Sequence, residues 1–140
     1  MYSFRKSKKG FTLIELMVVV AIIGVLALLG LRLYTGQQAK AKEAIVKANA
    51  GTVQTLIQSE LADGPVDDPQ TVAQGAGLHN PFTGAAMEAG EFVVDGNDAT
   101  ETADYDGYIH IKVVTSGIEF EVQGFGQDGV PIPEVLTAKR

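Results

Sequence analysis

The sequence predicts an α+β fold: one long N-terminal helix, membrane-spanning in its first half and amphipathic in its second, packed against a small antiparallel β-sheet. Three observations carry this. From Phe11 to Leu31 the chain is uncharged apart from Glu15. A proline-free stretch from Tyr34 to Leu61 follows, in which Val46, Ala50, Val53, Ile57 and Leu61 recur at helical spacing. Near the C-terminal end two alternating runs, Tyr108 to Thr115 and Ile118 to Gly124, flank the turn pair Ser116-Gly117.

The chain has 140 residues, which fits one domain. It has no cysteine, which excludes disulfides, cysteine-ligated metals, c-type haem attachment and thiol nucleophiles. The net charge of -6 conceals a segregation: residues 1 to 10 hold Arg5, Lys6, Lys8 and Lys9 without an acid, whereas Asp63 to Glu134 holds fourteen acids against the single base Lys112. A basic stretch before an apolar run is the positive-inside pattern and assigns the N-terminus to the cytoplasm. The acidic remainder would repel phosphate backbones, so general nucleic-acid binding is not expected.

The helix comes first. Residues 11 to 33 form the span: the stretch from Phe11 to Leu31 would rise ~31 Å at ~1.5 Å per residue, about one hydrocarbon core. The rival reading is a secretory signal peptide cut after Val25-Leu26-Ala27, whose product would begin with the exposed apolar run LLGL. Ala21, Gly24, Ala27 and Gly30 fall every third position and wind around the span as small contact points. Residues 34 to 62 continue the helix with one apolar stripe, widened by Ile45 and Leu56, and Lys40, Lys42, Glu43 and Lys47 mostly off it. Asp63-Gly64-Pro65 should end it, with glycine in a left-handed cap and proline unable to continue.

Residues 63 to 140 supply loop and sheet. The breakers Gly64-Pro65, Asp68-Pro69, Gly75, Gly77, Asn80-Pro81 and Gly84 read as loop up to residue 90, and a short strand is expected from Glu91 to Asp95. The polar acidic segment from Asp95 to Gly107 follows. A two-residue turn at Ser116-Gly117 would pair Thr115 with Ile118, Val113 with Phe120, Ile111 with Val122 and Ile109 with Gly124. That register assembles Ile109, Ile111, Val113, Ile118, Phe120 and Val122 on one face and sets Lys112 against Glu121 on the other. A hairpin is marginal alone, so its apolar face needs another layer, and the stripe from Val46 to Leu61 is the large candidate.

Constellations that could carry chemistry are few. GFGQDG, Gly124 to Gly129, matches a dinucleotide fingerprint, but Val130-Pro131-Ile132-Pro133 cannot open the helix that the fingerprint requires, so it reads as a turn. His110 is expected to be an exposed strand residue opposite Gln123, and His79 sits beside a turn. Neither belongs to a metal motif, and Ser116 lacks the flanking glycines of a nucleophile elbow. No enzyme is expected. Asp95, Asn97, Asp98, Glu101, Asp104 and Asp106 leave two readings open, a solvated charged loop and a calcium site; Asp95, Asn97, Asp98, Asp104 and Asp106 are the candidate ligands, although they do not follow the EF-hand pattern. No other cofactor is expected.

Glu15 also carries two readings. With Thr12 it satisfies the capping-box pattern of a helix start. As an ionisable group within a span, it costs about 2.5–3.5 kcal/mol or more and calls for a partner.

Lys8-Lys9-Gly10 followed by Phe11-Thr12-Leu13-Ile14-Glu15-Leu16-Met17 resembles the class III leader of type IV prepilins and pseudopilins. The close resemblance covers residues 5 to 33. It implies that residues 1 to 10 are a leader removed by a prepilin peptidase between Gly10 and Phe11, with N-methylation of Phe11. It also implies that Glu15 neutralises the Phe11 amine of a neighbouring subunit as a helical filament is built by the pilus assembly machinery of the inner membrane. The product would be a type IV pilus subunit, a single-pass precursor in the cytoplasmic membrane and then part of an extracellular filament serving adhesion, twitching motility or DNA uptake. A pseudopilin of type II secretion shares the leader and is the alternative, and a membrane-tethered calcium- or ligand-binding module is the rival from another class. NPFTG, Asn80 to Gly84, is similar to turns in short pilins. Two departures are visible: Arg32 stands where many pilins carry a helix-kinking proline, leaving Gly24 and Gly30 as points of helix flexibility, and the C-terminal disulfide loop is absent.

Overall fold

The computed structural model describes residues 10–95 and 105–140. Its first element is a single helix of 51 residues, α1, Leu13–Asp63. It contributes to two compact units, one ending at Gln37 and the other running from Gln38 to Arg140. In the first unit every described residue is exposed, including Phe11, Leu16, Ile22, Leu29 and Leu33. Among the described residues, α1 is the one helix long and apolar enough to cross a membrane.

The second unit holds the core. Val46, Ala50, Val53, Ile57 and Leu61 are all buried, as their spacing predicts. Leu56 is half-buried, but Ile45 is 47% exposed and does not widen the stripe. Asn49 is buried instead, one turn before Val53. The helix stops where expected: the Gly64 N–H still reaches the Glu60 carbonyl at 3.1 Å, and Pro65 has no N–H to follow it. Gly64 is not left-handed, so the proline rather than a glycine cap ends the helix.

The segment expected to be all loop contains a short helix, α2, Pro69–Gln74. Asp68 caps it, its carboxylate accepting from Gln70 N and Thr71 N, and Pro69 occupies the first turn. Asp-Pro was therefore a helix start as well as a breaker. A 3₁₀ turn, Ala89–Glu91, leads into β1, Phe92–Asp95.

Three further strands complete a four-stranded sheet in the order β1-β2-β3-β4: β2, Ile109–Thr115; β3, Glu119–Phe125; and β4, Pro131–Lys139. The sheet is mixed, since β1 runs parallel to β2 while β2, β3 and β4 are antiparallel. The hairpin register agrees with expectation at Ile109↔Gly124, Ile111↔Val122, Val113↔Phe120 and Lys112↔Glu121. It departs at the tip. A shift between Val113 and Thr115 sets Thr115 against Glu119, and the Ile118 N–H closes onto the Thr115 carbonyl at 3.0 Å. The loop thus has three residues with Gly117 left-handed at φ 70°, and Ile118 leaves the core face to stand 43% exposed.

Phe92, Ile109, Ile111, Phe120, Val122 and Ala138 pack with the α1 stripe into one core. Val130-Pro131-Ile132-Pro133, read only as unable to open a helix, instead leads into β4, which lies at the sheet's edge, where proline is tolerated. GFGQDG is a turn followed by a strand, with Asp128 and Gly129 at positive φ and the Gly126 N–H on the Val130 carbonyl at 2.8 Å.

Candidate functional site

The helix start is built by two side chains. Thr12 precedes α1, and its N–H and hydroxyl both donate to Glu15 Oε2, at 2.8 and 2.9 Å. The Glu15 N–H donates back to Thr12 Oγ1 at 3.3 Å. These reciprocal bonds make the capping box that the sequence predicts and satisfy backbone donors that a helix start leaves open. Both residues are exposed, and the carboxylate sits at the positive end of the helix dipole, where negative charge is favoured.

Around this start the surface is apolar. Phe11 is 85% exposed, and Leu13, Leu16, Met17, Val20 and Ala21 line a shallow depression beside the cap. Gly10 and Phe11 precede the helix in exposed backbone. α1 continues unbroken through Gly24, Gly30 and Arg32, and nothing lies within 4 Å of where a Cβ would stand at either glycine. Chemically, the segment offers one carboxylate, oriented by its own helix, within a sleeve of uncovered apolar side chains.

The calcium candidates divide. The side chain of Asp95, and Asn97, Asp98 and Asp104 entirely, lie outside the described residues. Asp106 is described: Oδ1 accepts from the Gly129 N–H at 2.9 Å and so tethers the turn before β4. Among the described residues, no three His, Cys, Asp or Glu converge on a common point.

His79 is exposed, and its carbonyl accepts from Asn49 Nδ2 at 3.0 Å. His110 does oppose Gln123, but it is buried rather than exposed, at 4%. The reason is aromatic cover: Phe125 stands edge-on to its ring at 6.2 Å, and Tyr105 lies against both Phe125 and Tyr108. Strand alternation assigns a face without revealing what the end of β3 and the residues before β2 lay over it.

The residue that sequence reasoning passed over is Asn80, fully buried within the NPFTG turn. Its Nδ2 donates to Glu91 Oε1 at 2.6 Å and to the Asp106 carbonyl at 2.8 Å, while Oδ1 accepts from the Phe82 N–H at 2.8 Å. The Cβ of any other residue at Gly107 would run into that amide. One side chain therefore ties the turn, the entry to β1 and the approach to β2. The Asn-Pro-x-x-Gly signature marked the turn, but nothing local marked the partners.

Residues 5–31 match the family described as a prokaryotic N-terminal methylation motif. The chain is 33% identical over 137 residues to a type IV major fimbrial protein FimA of Dichelobacter nodosus, an alignment covering 95% of this chain and 82% of that one. It is 50% identical over 64 residues to the fimbrial protein EcpB of Eikenella corrodens, covering 44% of this chain but only 40% of EcpB. A probable minor fimbrial protein of Dichelobacter nodosus is 41% identical over 76 residues, 54% of this chain and 45% of that protein. No solved structure matches.

Proposed function

The chain belongs to the type IV pilin family, and from that premise we propose that it is a filament-forming pilus subunit that assembles through the exposed start of α1. In this reading residues 11–33 hold the precursor in the cytoplasmic membrane. A prepilin peptidase removes residues 1–10 and methylates Phe11, and the inner-membrane assembly machinery moves the subunit into a homo-oligomeric surface filament.

The observation that carries the reading is the capped, exposed Glu15 in the otherwise uncharged and uncovered apolar stretch from Phe11 to Leu31. In a lone subunit the carboxylate is satisfied by Thr12 and reaches the headgroup level. Moved into a bundle of apolar helices, it loses those headgroups, and an uncompensated charge there is costly. A neighbour's Phe11 amine, itself a charge drawn into the same bundle, supplies the counterion. Two burdens that are each unfavourable alone are relieved together.

The test is a strain in which this gene is the sole source of subunit. Glu15→Gln keeps shape and hydrogen bonding but loses the charge, and Glu15→Ala also loses the acceptor. Both are expected to insert in the membrane and be cleaved after Gly10, yet to yield few filaments in sheared material, with Ala at least as defective as Gln. Normal filament abundance with Glu15→Ala would reduce Glu15 to a helix cap. Loss of exoprotein secretion with surface filaments intact would instead identify a secretion pseudopilin.

A further inference from the structure

We propose that Gln54 and Gln58 of α1 form a clamp that closes the free edge of β4 against strand addition by a second copy of this chain. β4 ends the sheet, so one side of its backbone faces away from β3. In an antiparallel strand, alternate residues turn both backbone groups to the same side. Thr137 and Lys139 turn theirs toward α1. Gln54 Nε2 donates to the Thr137 carbonyl at 3.0 Å, Gln58 Nε2 donates to the Lys139 carbonyl at 2.8 Å, and the Lys139 N–H donates to Gln58 Oε1 at 2.9 Å.

The match is one of spacing. Residues four apart on a helix lie ~6 Å apart along its axis and share a face, while residues two apart on a strand advance ~6.8 Å and share a side. Two glutamines at 54 and 58 thus meet successive edge-facing residues. The side-chain amide has both a donor and an acceptor, so Gln58 offers Lys139 the pair of bonds that a residue of another strand would offer. Earlier in β4, Pro131 and Pro133 have no N–H to present, and Lys47 ion-pairs with Glu134 beside them. The opposite edge receives similar treatment from α2, where Gln70 Nε2 donates to the carbonyls of Phe92, at 3.0 Å, and Ala89, at 2.7 Å.

An uncovered edge is a template for another chain. Copies of a protein with so much exposed apolar helix are held close together, and the clamp leaves the helices as their route of association. The inference rests on the bonds between α1 and β4 and does not depend on the filament reading.

The chain has no cysteine, so Thr137→Cys installs a unique thiol at the clamped edge. In an antiparallel pairing centred there, the two copies of this position face each other. The full chain in detergent micelles is oxidised mildly with the clamp intact and with Gln54→Ala/Gln58→Ala added. Loss of the clamp is expected to raise the disulfide-linked dimer by about fivefold or more, the factor corresponding to one net hydrogen bond, while a Val114→Cys control at the hairpin tip stays level. Equal dimer yields at position 137 with and without the glutamines would overturn the proposal. The unsubstituted chain supplies a second test that no folding defect can obscure: the Lys139 amide should exchange as slowly as that of Ala138, which pairs with β3. Exchange of Lys139 at the free-peptide rate would equally overturn it.

Discussion

The Cβ of any residue other than glycine at position 124 would lie 2.5 Å from Val46 Cγ1 and 3.4 Å from the Val46 carbonyl oxygen. α1 therefore rests directly on the backbone of β3, and Val46, fully buried and stiff at χ1, has no room to turn aside. Gly124→Ala should destabilise the chain by about 1–3 kcal/mol through overpacking. Val46→Ala, harmful alone, should recover part of that loss in the double variant. Denaturant unfolding of the four proteins gives the coupling directly, and strictly additive effects would mean that the two residues are not the contact that sets helix-to-sheet distance.

Asn80 serves three partners, so truncating it strands a carboxylate, a carbonyl and an N–H in a buried site. Asn80→Ala should lose about 2–4 kcal/mol. Asn80→Asp should be no better at neutral pH, because it sets a second carboxylate against Glu91, and it should recover part of the loss in acid as one carboxyl takes a proton. Thermal melts at two pH values distinguish the variants; an alanine variant that melts like the parent would show the network to be dispensable.

The cap of α2 should be acid-sensitive. Bonds from the Thr71 hydroxyl, then the Thr71 N–H and more weakly Gln70 N, hold the Asp68 carboxyl below its ordinary value of 3.8. A group with a depressed folded pKa stabilises above its unfolded value and loses that contribution as pH falls through the folded one. Asp68→Asn keeps an acceptor but cannot titrate. Protection of the α2 amides, taken relative to their intrinsic exchange rates at each pH, should thus fall below about pH 4 in the parent and stay flat in Asp68→Asn; matching profiles would remove Asp68 as the cause.

Mass spectrometry of subunit sheared from cells should find a chain beginning at Phe11 with one added methyl. A chain beginning at Leu28 would return the apolar run to the status of an ordinary signal peptide.

Features legible in the sequence were those in which one periodicity acts alone. The stripe from Val46 to Leu61, the stop at Pro65, the Thr12–Glu15 box and the central hairpin pairs all follow from spacing. Ile45 was misjudged because the sheet covers a narrower arc of α1 than its apolar residues occupy. Ile118 was misjudged because a bulge lengthened the turn by one residue, which is enough to move a side chain off the core face. α2 is hidden by reading Asp68-Pro69 only as a breaker, and β4 because Val130-Pro131-Ile132-Pro133 is weighed only against a helix. His110 and Asn80 depend on partners distant in sequence, and no local pattern encodes those.

The bonds between β4 and α1 join residues 81 and 83 positions apart, which gives the fold a calendar. At synthesis rates of ~5–20 residues per second, several seconds separate the appearance of Gln58 from that of Lys139. During that interval α1 has its stripe but no finished sheet to lay it on, since all four strands follow it in the chain. Residues 138–140 complete the sheet: Ala138 enters the core, Lys139 meets Gln58, and the Arg140 N–H closes on the Ile118 carbonyl at 3.1 Å. A chain lacking Ala138, Lys139 and Arg140 would keep the whole of α1 but lose the Gln58 bonds that fasten the outer strand to it, so an intact helix does not guarantee a finished sheet.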